Sequence, residues 1–145
     1  MTNPAAQSQM MLVGRIFLSL MFLIAGTRKL MAISATVAYF TKLGFPIPEI
    51  MVWVSIIIEI GGALLLIAGW QTRRIAWLLI LFTVIATAMA HRFWEFEGAQ
   101  YGAQLNFFLK NIAAVGGLLY VIAFGPGALS VDERAGVSGR RAVVT

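Results

Sequence analysis

The chain contains no cysteine, a single histidine (His91) and only six acidic residues. The lack of cysteine excludes disulfides, thiol relays, iron–sulfur ligation and Cys-based zinc sites together. With one histidine and no second axial partner, bis-His haem is impossible within one chain. Any redox chemistry must therefore use a diffusible or partner-held group. Charge is scarce as well. At 145 residues, 12% charged and 60% hydrophobic, with a mean hydropathy of +0.87, the composition excludes a soluble domain and reads as one integral membrane domain. The formal charge is +5, but the basic residues cluster at the ends of apolar runs, so membrane topology explains them and nucleic acid is not an expected partner. Lys and Arg are absent from the first ten residues, and Arg15 already lies in an apolar run. That order is wrong for a cleaved signal peptide, so the first span is expected to remain.

What is present is hydrophobic length. The expected fold is all-α, a four-transmembrane-helix antiparallel bundle with spans at about 11–30, 49–69, 75–93 and 105–124, each near the ~20 residues a span requires. Trp53 and Trp70 bracket the second span and Trp77 and Trp94 the third. Each pair is 17 positions apart, about 26 Å of helix, as interfacial aromatic girdles require. Between the first two spans, Ser34 is positioned to cap a short interfacial helix that Gly44 ends before Pro46 and Pro48, with Val37, Phe40 and Leu43 on one face. Residues 1–10 read as an N-terminal tail, 11–132 as the membrane domain, and 133–145 as a disordered basic tail. Arg73 and Arg74 occupy a short loop free of acids, which places both termini in the cytoplasm of a bacterial inner-membrane protein. GGALLLIA from Gly61 and GGLLYVIA from Gly116 agree at five of eight positions, as two related hairpins would.

One carboxylate, Glu59, sits inside the second span, where a charge costs about 2.5–3.5 kcal/mol and marks a functional site by default. Steps of four and three along each span define one polar or small face. These faces are Arg15, Ser19, Phe22, Gly26 and Lys29; Ser55, Glu59, Gly62, Leu66 and Gly69; Thr83, Thr87, His91 and Trp94; and Asn106, Lys110, Ala113, Gly117 and Tyr120. Such faces belong inside a membrane bundle. Their convergence predicts a cluster of Glu59, Lys110, His91, Lys29, Asn106 and Ser55 opening to the non-cytoplasmic side, with Glu59 and Lys110 at one depth. Arg15 falls near the opposite face. Structural readings stand beside the functional ones: Glu59 and Lys110 as an ion pair that only sets helix register, His91 as a helix C-cap, Arg15 as a snorkelling anchor, and the glycine pairs as packing features.

The pattern Arg15 followed by AGTRKL, the loop GFPIP, E-x-GG-x-LLL followed by Arg74, the lone His91, and FLKNIAAVGGLLYVIAFGPGALSVD resemble the DoxX family of small bacterial membrane proteins over about residues 14–132. The resemblance implies a four-helix membrane protein related to the membrane subunit of thiosulfate:quinone oxidoreductase. Some relatives are membrane partners of oxidative-stress and sulfur-transfer proteins. Family motif positions map to Arg15, Lys29, Glu59, His91, Lys110 and Asn111. The leading expectation is a membrane component of a quinone-linked oxidoreductase system. In it Glu59, His91 and Lys110 carry proton and charge chemistry, while Lys29, Ser55, Asn106, Asn111 and Arg15 bind ligand. Quinone is the expected cofactor, and the lipid bilayer and membrane-associated proteins are the expected partners. A small proton-coupled transporter and a structural or assembly subunit are the alternatives.

Overall fold

Asn3 and Pro4 start the first helix earlier than hydropathy alone suggests. In the computed structural model, which describes residues 3–136, the Asn3 side chain accepts from the Ala5 N–H at 3.0 Å and Pro4 takes the first helical position. Helix α1 therefore runs Pro4–Met31, and most of the segment read as a tail is helical. The basic tail read over 133–145 lies, from residue 137 onward, outside the described residues.

A one-residue break at Ala32 (φ −137°) separates α1 from α2, Ile33–Lys42. Ser34 is thus inside the first turn of α2 and does not cap it, whereas Gly44, at φ +79°, ends the helix as expected. Phe40 is buried and stacks on Phe45 at 4.6 Å, fastening α2 over Val52 and Ile56 of the next helix. Pro48 opens α3, Pro48–Ala68, which contains a π-helical turn at Ile57–Gly61. Helix α4 spans Thr72–Ala90, α5 spans Gly98–Phe124, and a short α6 spans Val131–Arg134. The connection after α4, which the span limits put at 94–104, is shorter than expected because α5 already begins at Gly98.

Helices α1, α3, α4 and α5 are each long and apolar enough to cross a membrane. Trp53, Trp70, Trp77 and Trp94 are all exposed, as girdle residues must be. Consecutive spans pack as antiparallel neighbours, and α5 returns to α1 along a looser seam. Four spans bring both ends of the described chain to one side, the terminal end; the side carrying α2 and His91 is the distal end. Phe22, Leu66, Leu79 and Leu118 fill the core of the terminal half.

Two glycines set the helix spacing. A Cβ on Gly62 would lie 2.8 Å from Leu79 Cδ2, and one on Gly117 would lie 3.3 Å from Leu18 Cδ1. In both GG pairs the first glycine is open and the second meets a leucine of the neighbouring span. The repeat is thus visible as equivalent packing.

The terminal end is held by polar clasps that the sequence reading did not anticipate. Asp132, buried on α6, accepts from the Gln71 N–H (2.7 Å), the Thr72 N–H (2.8 Å) and the Thr72 hydroxyl (2.7 Å), capping α4 from 60 residues away. Arg15 is only 1% exposed. Its guanidinium donates to the carbonyls of Leu66 at 3.4 Å and of Leu129, tying the last turn of α3 to the loop that leads into α6. It is neither a snorkelling anchor nor near the Glu59 cluster. Arg73 Nε likewise donates to the Ile122 carbonyl at 2.9 Å. Replacing Asp132 by Ala strips three charge-assisted bonds from the α4 N-terminus. It is expected to lower unfolding stability in detergent by about 2–3 kcal/mol; an unchanged denaturation midpoint would contradict the clasp.

Candidate functional site

In the middle of α3 the wider π turn Ile57–Gly61 carries Glu59, and such turns recur at functional sites. Terminal to it, α3 packs closely on α4 at the Gly62–Leu79 contact. Distal to it, Pro48–Ile56 stands away from α4. The splay leaves a cavity of about 430 Å³ between the distal halves of the helices.

Glu59 is 4% exposed and paired with Lys29, whose Nζ donates to both carboxylate oxygens at 2.6 Å. Gly26, one turn before Lys29, makes this possible: a Cβ there would lie 3.0 Å from Glu59 Cβ and 2.7 Å from Ile60 Cγ1. Only a glycine lets α1 come that close to the π turn. The ion pair is therefore Lys29–Glu59 and not the expected Glu59–Lys110. Asn111 donates to Thr87 Oγ1 at 2.8 Å while Gly62 meets Leu79. This register sets the Lys110 backbone about 9 Å, nearly two turns, distal to Glu59. The Lys110 ammonium lies 5.1 Å from the centre of the Phe107 ring and attracts the Glu59 carboxylate from longer range.

The rest of the wall is built from satisfied polar groups. Ser55 donates to the Val52 carbonyl at 2.8 Å, and Thr83 and Thr87 donate to the carbonyls of Leu79 and Thr83. His91 ends α4 as its C-cap residue. Its Nδ1 meets Gln104 Oε1 at 2.9 Å and its ring stacks on Phe107 at 5.1 Å. An amide oxygen only accepts, so with Gln104 in this orientation Nδ1 carries the proton and Nε2 is left as the acceptor. Tyr39 of α2 stands at the rim, where burial pushes its phenol up and keeps it protonated.

Lys29, Ser55, Glu59, His91, Lys110 and Asn111 all line this one chamber. Arg15 does not, for the reason given above. Asn106 does not either: it is exposed, because α5 is turned by one position from the expected face. The buried residues of α5 are Asn111, Ala114 and Leu118. Gln104, Phe108, Asn111, Val115 and Leu118 follow the same four-three steps as the expected stripe. Gln104 and the aromatic side chains of α2 were the functional neighbours missed. The paired polar positions 104 and 111 are the signal that would have revealed that face.

Electrostatically the chamber has one carboxylate neutralised by Lys29, with Lys110 and His91 remaining on the opposite wall. It can hold an anion or stabilise negative charge developing on a carbonyl oxygen, against walls that are otherwise apolar. Replacing Lys29 by Met strands a buried carboxylate and is expected to cost about 3–5 kcal/mol in denaturant unfolding. Adding Glu59→Leu should recover most of that loss; a double variant as unstable as the single one would show that the pair is not what holds α1 to α3.

The DoxX family profile matches residues 10–92. The inner membrane protein YphA of Escherichia coli strain K12 is 34% identical over 130 residues, covering 90% of this chain and 93% of that one. The inner membrane protein YqjF of the same strain is 32% identical over 122 residues, covering 84% and 88%. A Surfeit locus protein 4 homolog of Drosophila melanogaster is 28% identical over 131 residues, covering 86% of this chain but 40% of that protein. No solved structure matches the chain significantly.

Proposed function

Because the chain belongs to the DoxX family of integral membrane proteins, we propose that it is the membrane component of a quinone-linked oxidoreductase or oxidative-stress system, with the distal chamber as its quinone-headgroup site. The observation that carries this reading is the placement of Glu59, Lys29, Lys110 and His91 around one apolar-walled cavity of about 430 Å³, a size and composition suited to a small amphipathic guest. When bound, a quinone supplies a two-electron, two-proton acceptor, the electrons coming from a redox partner protein. Lys110, joined by His91 once its Nε2 has taken up a proton, stabilises the negative charge that develops on the reduced oxygen. Glu59, held by Lys29, hands on a proton and is recharged from the distal aqueous face. With both termini in the cytoplasm, as the acid-free Arg73–Arg74 loop favours, the chamber faces the outer leaflet.

Transport across the membrane is less well supported. Below Glu59 the path meets the fully packed Phe22, Leu66 and Leu79, and then the Arg15 and Asp132 clasps. A chamber blind at one end suits binding and relay. The test is quinone content and turnover in protein purified from membranes. Glu59→Gln and Lys110→Met, correctly inserted, are expected to reduce bound quinone at least ~10-fold, whereas lipid-facing Ile112→Ala retains it. If both site variants bind and turn over quinone like the parent, the assignment is wrong.

A further inference from the structure

The chamber wall contains residues that face lipid. Val54 on α3 and Leu81 and Ile85 on α4 are 40%, 60% and 48% exposed, yet all three line the same cavity as Glu59 and His91. Ile58 and Phe82 continue that wall inward. The cavity thus runs without interruption from the ion pair to the outside of the bundle through the splay between α3 and α4. The Gly62–Leu79 contact closes the splay at its terminal end. From Leu79 to His91 the opening extends about 18 Å along α4, slightly more than one leaflet of a hydrocarbon core of ~30 Å. The aqueous end differs in kind: there α2 and the loop after it supply a roof of Tyr39, Phe40 and Phe45, with Phe40 buried.

We propose that the chamber is loaded sideways from the bilayer through the α3–α4 seam, and that its occupant is an amphiphile whose long apolar tail lies in that seam while its headgroup meets Lys29, Glu59 and His91. The inference rests on the chamber being a ligand site, as proposed above, and adds the route of entry and the tail as a recognition element. Polar and apolar parts of the wall are segregated as the two parts of such a molecule are. The acid and bases are gathered at the deep wall, and the aliphatic side chains line the way out. A ligand already dissolved in the membrane reaches this opening at high local concentration and need not cross the aromatic roof. A headgroup without a tail leaves the seam filled by lipid and gains none of the burial.

The chain has no native cysteine, so a single introduced thiol reports access cleanly. In bilayer nanodiscs, Ala86→Cys, whose side chain lines the chamber, is expected to react at least ~10-fold faster with an alkyl maleimide dissolved in the lipid than with a charged, impermeant maleimide in the water. Adding Leu81→Trp, which fills the seam, should slow the alkyl reagent about 10-fold, while Ile112→Trp on the lipid face of α5 should not. Equal or faster reaction with the charged reagent, or indifference to Leu81→Trp, overturns sideways loading. A separate measurement reads the tail: a decyl-tailed benzoquinone should bind at least ~10-fold more tightly than the tail-free headgroup and lose that advantage in Leu81→Trp. Equal affinities would overturn the tail's role. Thiol results as expected with no binding of either quinone would refute the quinone reading and leave the lateral route standing, whereas quinone binding with the reverse thiol pattern would refute the route alone.

Discussion

A carboxylate within a lipid-spanning helix has to be met by a cation before the helix can stay where it is, and in this protein Glu59 meets Lys29. The pair constrains much of the distal half. For the ammonium to reach both oxygens, α1 must lie against the π turn of α3, and Gly26 is the residue that permits the approach. Once α1 holds α3 at that point, the distal part of α3 leans toward α1 and α2 and away from α4. The cavity is the space left by that lean. Charge pairing, helix splay and ligand space are thus one event on different scales.

The two ends of the bundle solve the problem of buried polarity in opposite ways. At the terminal end, Arg15, Arg73 and Asp132 spend their hydrogen bonds on backbone groups at helix ends, and apolar side chains close the middle. At the distal end, backbone groups are satisfied within their own helices, which leaves Lys110 and the His91 ring beside open space. The first arrangement ties helix ends together; the second is available for chemistry.

Most of the architecture could be read from the chain, since hydropathic length and tryptophan spacing follow directly from bilayer dimensions. On α1 the inward face is unambiguous, because Arg15, Ser19, Phe22 and Gly26 are the residues the four-three spacing selects and the ones buried. On α5 the same rule admits two faces. Asn106 and Lys110 mark one and Gln104 and Asn111 the other, and only contact with Thr87 decides between them. Lys110 still reaches the chamber because its long stem does not need an inward Cα. The partner of Glu59 was misjudged because depth along the chain ranks cations by level, whereas pairing depended on how closely two backbones approach at Gly26. The π turn and the capping by Asp132 leave no local signature, one being a response to packing and the other a contact across 60 positions.

That distant cap bears on biogenesis. The first turn of α4 emerges from the ribosome long before Asp132 does, so its amide donors must rely on water or lipid headgroups while the fourth span is still being made. Only when α6 docks are those donors satisfied and the α3–α4 hairpin sealed at its base. Membrane insertion and final locking are therefore separated in time, and the last described helix acts as the latch that ends assembly.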